Sequence, residues 1–240
     1  MTISSNPFTC LAIETATELP SLALLRGDAL TLRVCPGLRA PSRNVFEWTR
    51  ELLDEAGASL DDLDCIAFGA GPGSFTGVRV AVALAQGLGY ARGLPLCAVS
   101  TLAALAAGAL PATTAETVAC CLDAHMGEVY VGIYQRHPAE GVRALCPDAL
   151  MKPEAVSLAK PGPHLAVGPG WSKYPELASR LESCLLGIEA GLLPSAADVA
   201  RLARPRFLAG RIVSAANAQP NYLREQVASV SKASAAVRSS

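Results

Sequence analysis

The chain lacks most of the residue groupings that announce a chemistry outright. Among 240 residues there are three histidines, His125, His137 and His164, and none stands in an HxxxH or HExxH spacing. A helix-borne zinc site is therefore excluded, and each histidine reads as a surface or turn residue. The eight cysteines include no CxxC pair, which removes zinc ribbons and thioredoxin-type redox motifs. Net charge is nearly absent as well: 20 Lys and Arg against 21 Asp and Glu give -1. With no arginine-rich run and no basic segment interleaved with aromatics, direct and tight binding of nucleic acid by this chain alone is not expected. Long apolar runs are missing too. The best candidate, Val80 to Ala91 between Arg79 and Arg92, falls short of the roughly 20 residues a spanning helix needs, and the N-terminus shows no signal-peptide pattern. No short repeat is visible.

What is present is a core. Hydrophobic residues make up 51% and charged ones 17%, a balance that suits a packed globular protein, and the length favours two modest lobes over one large domain. Cys10, Cys65, Cys97, Cys120 and Cys121 sit in apolar, strand-like runs, where thiols behave as small hydrophobes. Cys120 and Cys121, being adjacent, should point to opposite faces of a strand. This usage reads as a reducing cytoplasm.

Three strands open the chain, Phe8 to Ile13, Ser21 to Leu25 and Leu30 to Val34, with a polar turn Glu14-Thr15-Ala16-Thr17 after the first. Val45, Trp48, Leu52, Leu53 and Ala56 then recur at helical spacing. A strand at Cys65 to Phe68, a glycine turn, a helix from Thr76 to Arg92, a strand at Leu96 to Val99 and a helix capped by Ser100 and running to Leu110 complete a βαβα series. The meander followed by this alternation predicts an α/β lobe over 1–110 with a mixed, partly parallel sheet flanked by helices. A second lobe, 111–228, reads less clearly: strands at Thr117 to Leu122 and Val129 to Tyr134 around a turn, then helical patterns near Glu154 to Ala159, Glu176 to Leu181 and Ala196 to Ala203. A Ser- and Ala-rich tail, 229–240, has little to bury.

The most informative segment is Gly69-Ala-Gly-Pro-Gly-Ser-Phe-Thr-Gly-Val-Arg79. Glycines permit close approach and helix-terminal amides can hold an anion, but the Rossmann pattern fails because Thr76 stands where its third glycine belongs, and the P-loop lacks its lysine. From the residues alone, a turn that leads a strand into a helix is the favoured reading. Ser74 lies in GPGSFTG, not in the GxSxG of a nucleophile elbow. In the following helix Gly77, Ala81, Ala85 and Gly89 recur every four residues as one smooth stripe. The stripe suits close approach either of the protein's own sheet or of a partner helix.

The run GPGSFTGVRVAVALAQGLGYARGLPLCAVSTLAAL, with LAIETAT at 11 to 17, LDAHMGEVYVGIYQR at 122 to 136 and QPNYLRE at 219 to 225, closely resembles the TsaB (YeaZ) family of the acetate and sugar kinase/Hsp70/actin (ASKHA) superfamily. The resemblance implies two actin-like lobes and a non-catalytic scaffold that works with a TsaD-like catalytic subunit and a TsaE-like ATPase. Together these transfer threonylcarbamoyl from its adenylate to N6 of adenosine 37 in tRNA (t6A formation). It implies a homodimer when the chain is alone, contact with tRNA only through the complex, and no membrane association. Partner-contact candidates are Trp48, Leu52, Val78, Ala81, Val82, Ala85 and Gly89. Glu14, Thr15, Gly71 and Gly73 match a vestigial nucleotide site, so no cofactor is implied beyond an adenine nucleotide held weakly or shared at an interface. Ser42 to Trp48 contains no histidine where TsaD carries its metal ligands, and Glu14 replaces an aspartate usual in the family, moving the carboxylate by one methylene. The competing reading is a small phosphotransferase of the same superfamily, using the Glu14 turn and Gly168-Pro169-Gly170. Proline there removes an amide donor that a phosphate cradle would use.

Overall fold

The computed structural model describes residues 7–34, 41–158 and 162–223. Strands β1 (Thr9–Glu14), β2 (Ser21–Arg26) and β3 (Ala29–Val34) form the antiparallel meander. Helix α1 (Pro41–Glu55), strand β4 (Cys65–Gly69), helix α2 (Phe75–Arg92), strand β5 (Leu96–Val99) and helix α3 (Thr101–Ala109) follow. β4 lies parallel to β1 and β5 parallel to β4, giving a first sheet ordered β3-β2-β1-β4-β5. Ser74 and Ser100 cap α2 and α3 by accepting the amides of Gly77 and Ala103, which satisfies donors a helix start leaves unpaired.

The second sheet holds β6 (Thr117–His125), β7 (Glu128–His137), β8 (Gly141–Ala144), β10 (His164–Val167) and β11 (Leu185–Glu189) in the order β11-β10-β6-β7-β8, with β9 (Ala149–Met151) pairing β7. Helices α4 (Gly170–Lys173) and α5 (Pro175–Leu181) cover its outer face, and α6 (Ala196–Leu208) returns toward the first sheet. The expected helix at Glu154 to Ala159 is not there. A single 3-10 turn at Pro153–Ala155 gives way to irregular chain through Leu158, Ala159 lying outside the described residues. The 229–240 tail also lies outside them. β8 to β11 went unread because they are three to five residues long, too short for alternation to show.

Alternation along the strands builds the layers. Leu11 and Ile13 of β1, with Leu22, Leu24, Ile66 and Phe68, face α1 and α2, while Cys10, Ala12, Ala23, Cys65 and Ala67 face inward against α3 and α6. That inner core continues through Val118, Cys120, Leu122 and Tyr134 of the second sheet. Cys121 points the other way, into a core with Trp171 and Leu177, so the two adjacent thiols do divide between faces. Helices α3 and α6 thus fill the space between two sheets. α6 is fixed there partly by Ser21 of β2, whose hydroxyl accepts the Ala196 amide at 2.9 Å.

Candidate functional site

The carboxyl ends of β1, β4 and β6, together with the loop after β10, open onto one cleft of about 950 Å³. Its walls are Ala16 to Glu18, Pro72 to Thr76, Leu122 to Met126 and Pro169 with Lys173, and Tyr222 and Leu223 close one side. Strand ends are where α/β proteins place ligands.

The expected nucleotide residues mostly miss this cleft. Of Glu14, Thr15, Gly71 and Gly73, only Gly73 lines it. Glu14 is fully enclosed, its Oε1 accepting the Ala16 amide at 2.7 Å and its Oε2 the Thr101 hydroxyl at 3.1 Å. Burial without a counter-cation pushes its carboxyl up to about 7, against the opposing pull of the Ala16, Thr101 and Thr15 hydrogen bonds. A side chain at Gly69 would occupy the space of this carboxylate. The Thr15 hydroxyl donates inward to the Gly77 carbonyl at 2.6 Å. Gly71, at φ +90, lets the turn double back, and at Gly77 the helix backbone comes so close to the Thr15 carbonyl that no Cβ fits. The amides of Ala70 and Ser74 are taken by the Val99 and Ala16 carbonyls. The glycine turn is therefore a clasp between β1, α2 and α3. On the opposite wall the Gly168 amide is bonded to the Glu189 carbonyl, which counts against a phosphate cradle at Gly168 to Gly170.

The smooth stripe is also spoken for. Ala81, Ala85 and Leu52 are completely enclosed in the first sheet's outer core, with Val82 and Val78 close to it, Gly89 pressed on Leu96 and Trp48 half-buried against the same cluster. These side chains are spent on the protein's own core. Gly77, Ala81, Ala85 and Gly89 are small because α2 lies tight on its own sheet. What α2 turns outward is Thr76, Arg79, Ala83, Gly87 and Tyr90, spaced at three and four residues. Among the described residues nothing outside the helix's own backbone lies within 4 Å of where a Cβ at Gly87 would stand, and Tyr90 is 84% exposed. One sequence signal could have found this face: two aromatics, Phe75 and Tyr90, stand off the glycine-alanine stripe at opposite ends of the helix.

Residues 214–223 run along α2. Gln86 Nε2 donates to the Ala218 carbonyl at 3.0 Å, the Asn221 amide to the Ala70 carbonyl at 2.7 Å, and Arg79 Nε to the Tyr222 hydroxyl at 2.8 Å. At the far wall Asp123 accepts the His125 amide and the Tyr174 hydroxyl, holding a hairpin tip in which His125 and Met126 both have positive φ. His125 is exposed, but His164, expected at the surface, is buried in β10. Among the described residues no cluster of His, Cys, Asp or Glu could hold a metal ion, and no helix is long and apolar enough to cross a membrane.

Two mixed sheets stacked around shared helices, with a cleft at their strand ends, define an ASKHA-type, actin-like fold. Residues 37–232 match the family model described as TsaD: tRNA N6-adenosine threonylcarbamoyltransferase. The chain is 38% identical over 223 residues to the tRNA threonylcarbamoyladenosine biosynthesis protein TsaB of Escherichia coli (strain K12), covering 91% of this chain and 95% of that one. To the Haemophilus influenzae protein of the same name it is 34% identical over 228 residues, covering 91% and 94%. The solved structure of YeaZ from Pseudomonas aeruginosa superposes with a TM-score of 0.81 at 38% identity, covering 90% of this chain and all of that one. The chain belongs to the TsaB (YeaZ) family, within the broader family that the TsaD model describes.

Proposed function

We propose that this chain is a non-catalytic subunit of the t6A machinery, pairing with a TsaD-like subunit that carries out the transfer of threonylcarbamoyl to N6 of adenosine 37 in tRNA. A TsaE-like ATPase completes the set, and tRNA is met only through the assembled complex. The observation that carries this reading is the end-to-end match to proteins named for threonylcarbamoyladenosine biosynthesis. The site supports it, since the carboxylate of the first turn is consumed internally and the second turn's Gly168 amide is bonded to Glu189. The near-neutral charge supports indirect tRNA contact, and the free, buried thiols suit a reducing cytoplasm. The lobes are taken as 1–110 and 111–228, with α6 crossing back between the sheets and 229–240 as a tail.

The expected result is that the purified chain alone neither hydrolyses ATP nor modifies tRNA, whereas adding the TsaD-like and TsaE-like subunits of the same organism yields t6A, measured by nucleoside mass spectrometry. ATP turnover that survives repurification and disappears in Glu14→Gln would establish the phosphotransferase reading instead.

The partner face is the outward side of α2. Eighteen residues make a rod about 27 Å long, with Ala83 and Gly87 near its middle and aromatics toward both ends. A two-fold crossing over Ala83 would set Tyr90 of one copy against Phe75 and Thr76 of the other, a self-complementary arrangement suited to a homodimer when the chain is alone. The TsaD-like subunit would use the same face. Ala83→Glu, on an exposed position, should leave the folded circular-dichroism spectrum unchanged, costing no more melting temperature than loss of the dimer itself, while abolishing both dimer and partner complex on size-exclusion chromatography. Normal pairing by that variant would remove α2 from the interface.

A further inference from the structure

At the N-terminal end of α2 the guanidinium of Arg79 lies 3.3 Å from the centroid of the Phe75 ring and 5.4 Å from that of Tyr222. The two rings stand 6.4 Å apart and tilted, and both are about half exposed. Nε is committed to the Tyr222 hydroxyl. Among the described residues no carboxylate pairs with Arg79, although Arg33, Arg92, Arg136, Arg143, Arg201, Arg204 and Arg211 each have one. The stack fixes a long side chain that is normally free, so the loss of freedom on binding is already met. It also leaves the Nη donors of a planar fork for an acceptor that the rest of the described chain does not supply.

We infer that Phe75, Arg79 and Tyr222 form an anchoring site for a carboxylate side chain of the partner protein. The inference rests on the reading of α2 as the partner face and names the chemistry that its N-terminal end selects. Continuity favours a protein acid over an RNA phosphate: Arg79 lies on the same outward stripe as Thr76, Ala83, Gly87 and Tyr90, and among the described residues the cleft beside it is lined by a single lysine, Lys173, and no arginine, together with the acids Glu18 and Asp123. Because Phe75 and Tyr222 also line the cleft, the partner's acid would seat at its mouth. The site further explains why the C-terminal Asn221-Tyr222 segment is strapped to α2: without Tyr222 the guanidinium loses both its second ring and its Nε acceptor.

The test titrates the TsaD-like subunit of the same organism into the full chain by calorimetry at low and physiological salt. Arg79→Gln should weaken binding about tenfold or more and flatten its salt dependence, with no change in melting temperature. Arg79→Lys should not restore it, since an ammonium cannot reproduce the fork, and Tyr222→Phe, which keeps the ring but removes the acceptor, should weaken binding less. Unaltered affinity in Arg79→Gln alongside lost pairing in Ala83→Glu overturns the anchoring site but leaves the α2 face standing. Unaltered affinity in both overturns the face itself. If Arg79→Gln pairs normally but the assembled complex retains less tRNA in a mobility-shift assay, the group faces RNA and the carboxylate assignment is wrong. A lowered melting temperature for both Arg79→Gln and Tyr222→Phe, with pairing intact, makes the stack a structural clasp only.

Discussion

Ala85→Glu should unfold the first lobe rather than merely uncouple it from a partner. The methyl group of Ala85 has no exposed surface and packs among Leu11, Ile13, Ile66, Phe68 and their neighbours. A glutamate there must either displace the helix from the sheet or leave an unpaired carboxylate in an apolar core. Overpacking alone costs about 1–3 kcal/mol and the unpaired charge several more, against a total stability of roughly 5–15 kcal/mol. A drop in melting temperature of at least about 10 °C is expected, or failure to accumulate as soluble protein, read by circular dichroism. Ala83→Glu, two residues away but outward, is the matched control and should melt as the parent does at concentrations too low for the parent to dimerise. If Ala85→Glu melts within about 2 °C of the parent, α2 does not lie on the sheet as described.

That contrast also marks the limit of what the sequence tells. The spacing of Gly77, Ala81, Ala85 and Gly89 reveals that something comes close to α2, because small residues at four-residue intervals leave room for nothing else. It does not reveal what, since a helix shows the same stripe to its own sheet and to a stranger. The first lobe was legible almost strand for strand because its helices are long and periodic, and because even its short strands β4 and β5 are apolar runs set between such helices and glycine or proline punctuation. In the second lobe β6 and β7 were visible for the same reason. The short strands β8 to β11 and the turn at Pro153–Ala155 were not, because their identity is set by neighbours far along the chain and not by local pattern.

Glu14 and Thr15 turn away from the cleft for a related reason. Glu14 to Thr17 reads from the residues only as a polar turn after a buried strand, and it is the family resemblance that puts a nucleotide-handling acid at Glu14. The missing side chain of Gly69 on the neighbouring parallel strand gives that carboxylate a place to turn inward, and Thr101, 87 residues away, supplies a donor. Only the pairing of three segments decides the direction. The same clasp joins the wall of the cleft, through Ala16, to Thr101 at the start of α3.

Glu14 should therefore make the protein less stable as pH rises toward neutrality. Its carboxyl is raised to about 7 in the folded chain from an ordinary 4.5. In the window between these values the folded state holds a proton that the unfolded state has lost, so stability falls with increasing pH. Below about 4.5 both states are protonated, and above about 7 both are ionised with the full penalty in place; a shift of this size corresponds to about 3 kcal/mol. Glu14→Gln keeps an acceptor for the Ala16 amide and puts a neutral amide beside Thr101, so it should mimic the protonated form at every pH. Melting curves from pH 5 to 8 should show the parent losing about 10 °C relative to the variant, with the two coinciding at the acid end. Parallel curves across the range would mean that the carboxyl titrates in the folded chain at its ordinary value, and that the turn from Glu14 to Thr17 opens toward solvent instead of clasping α3.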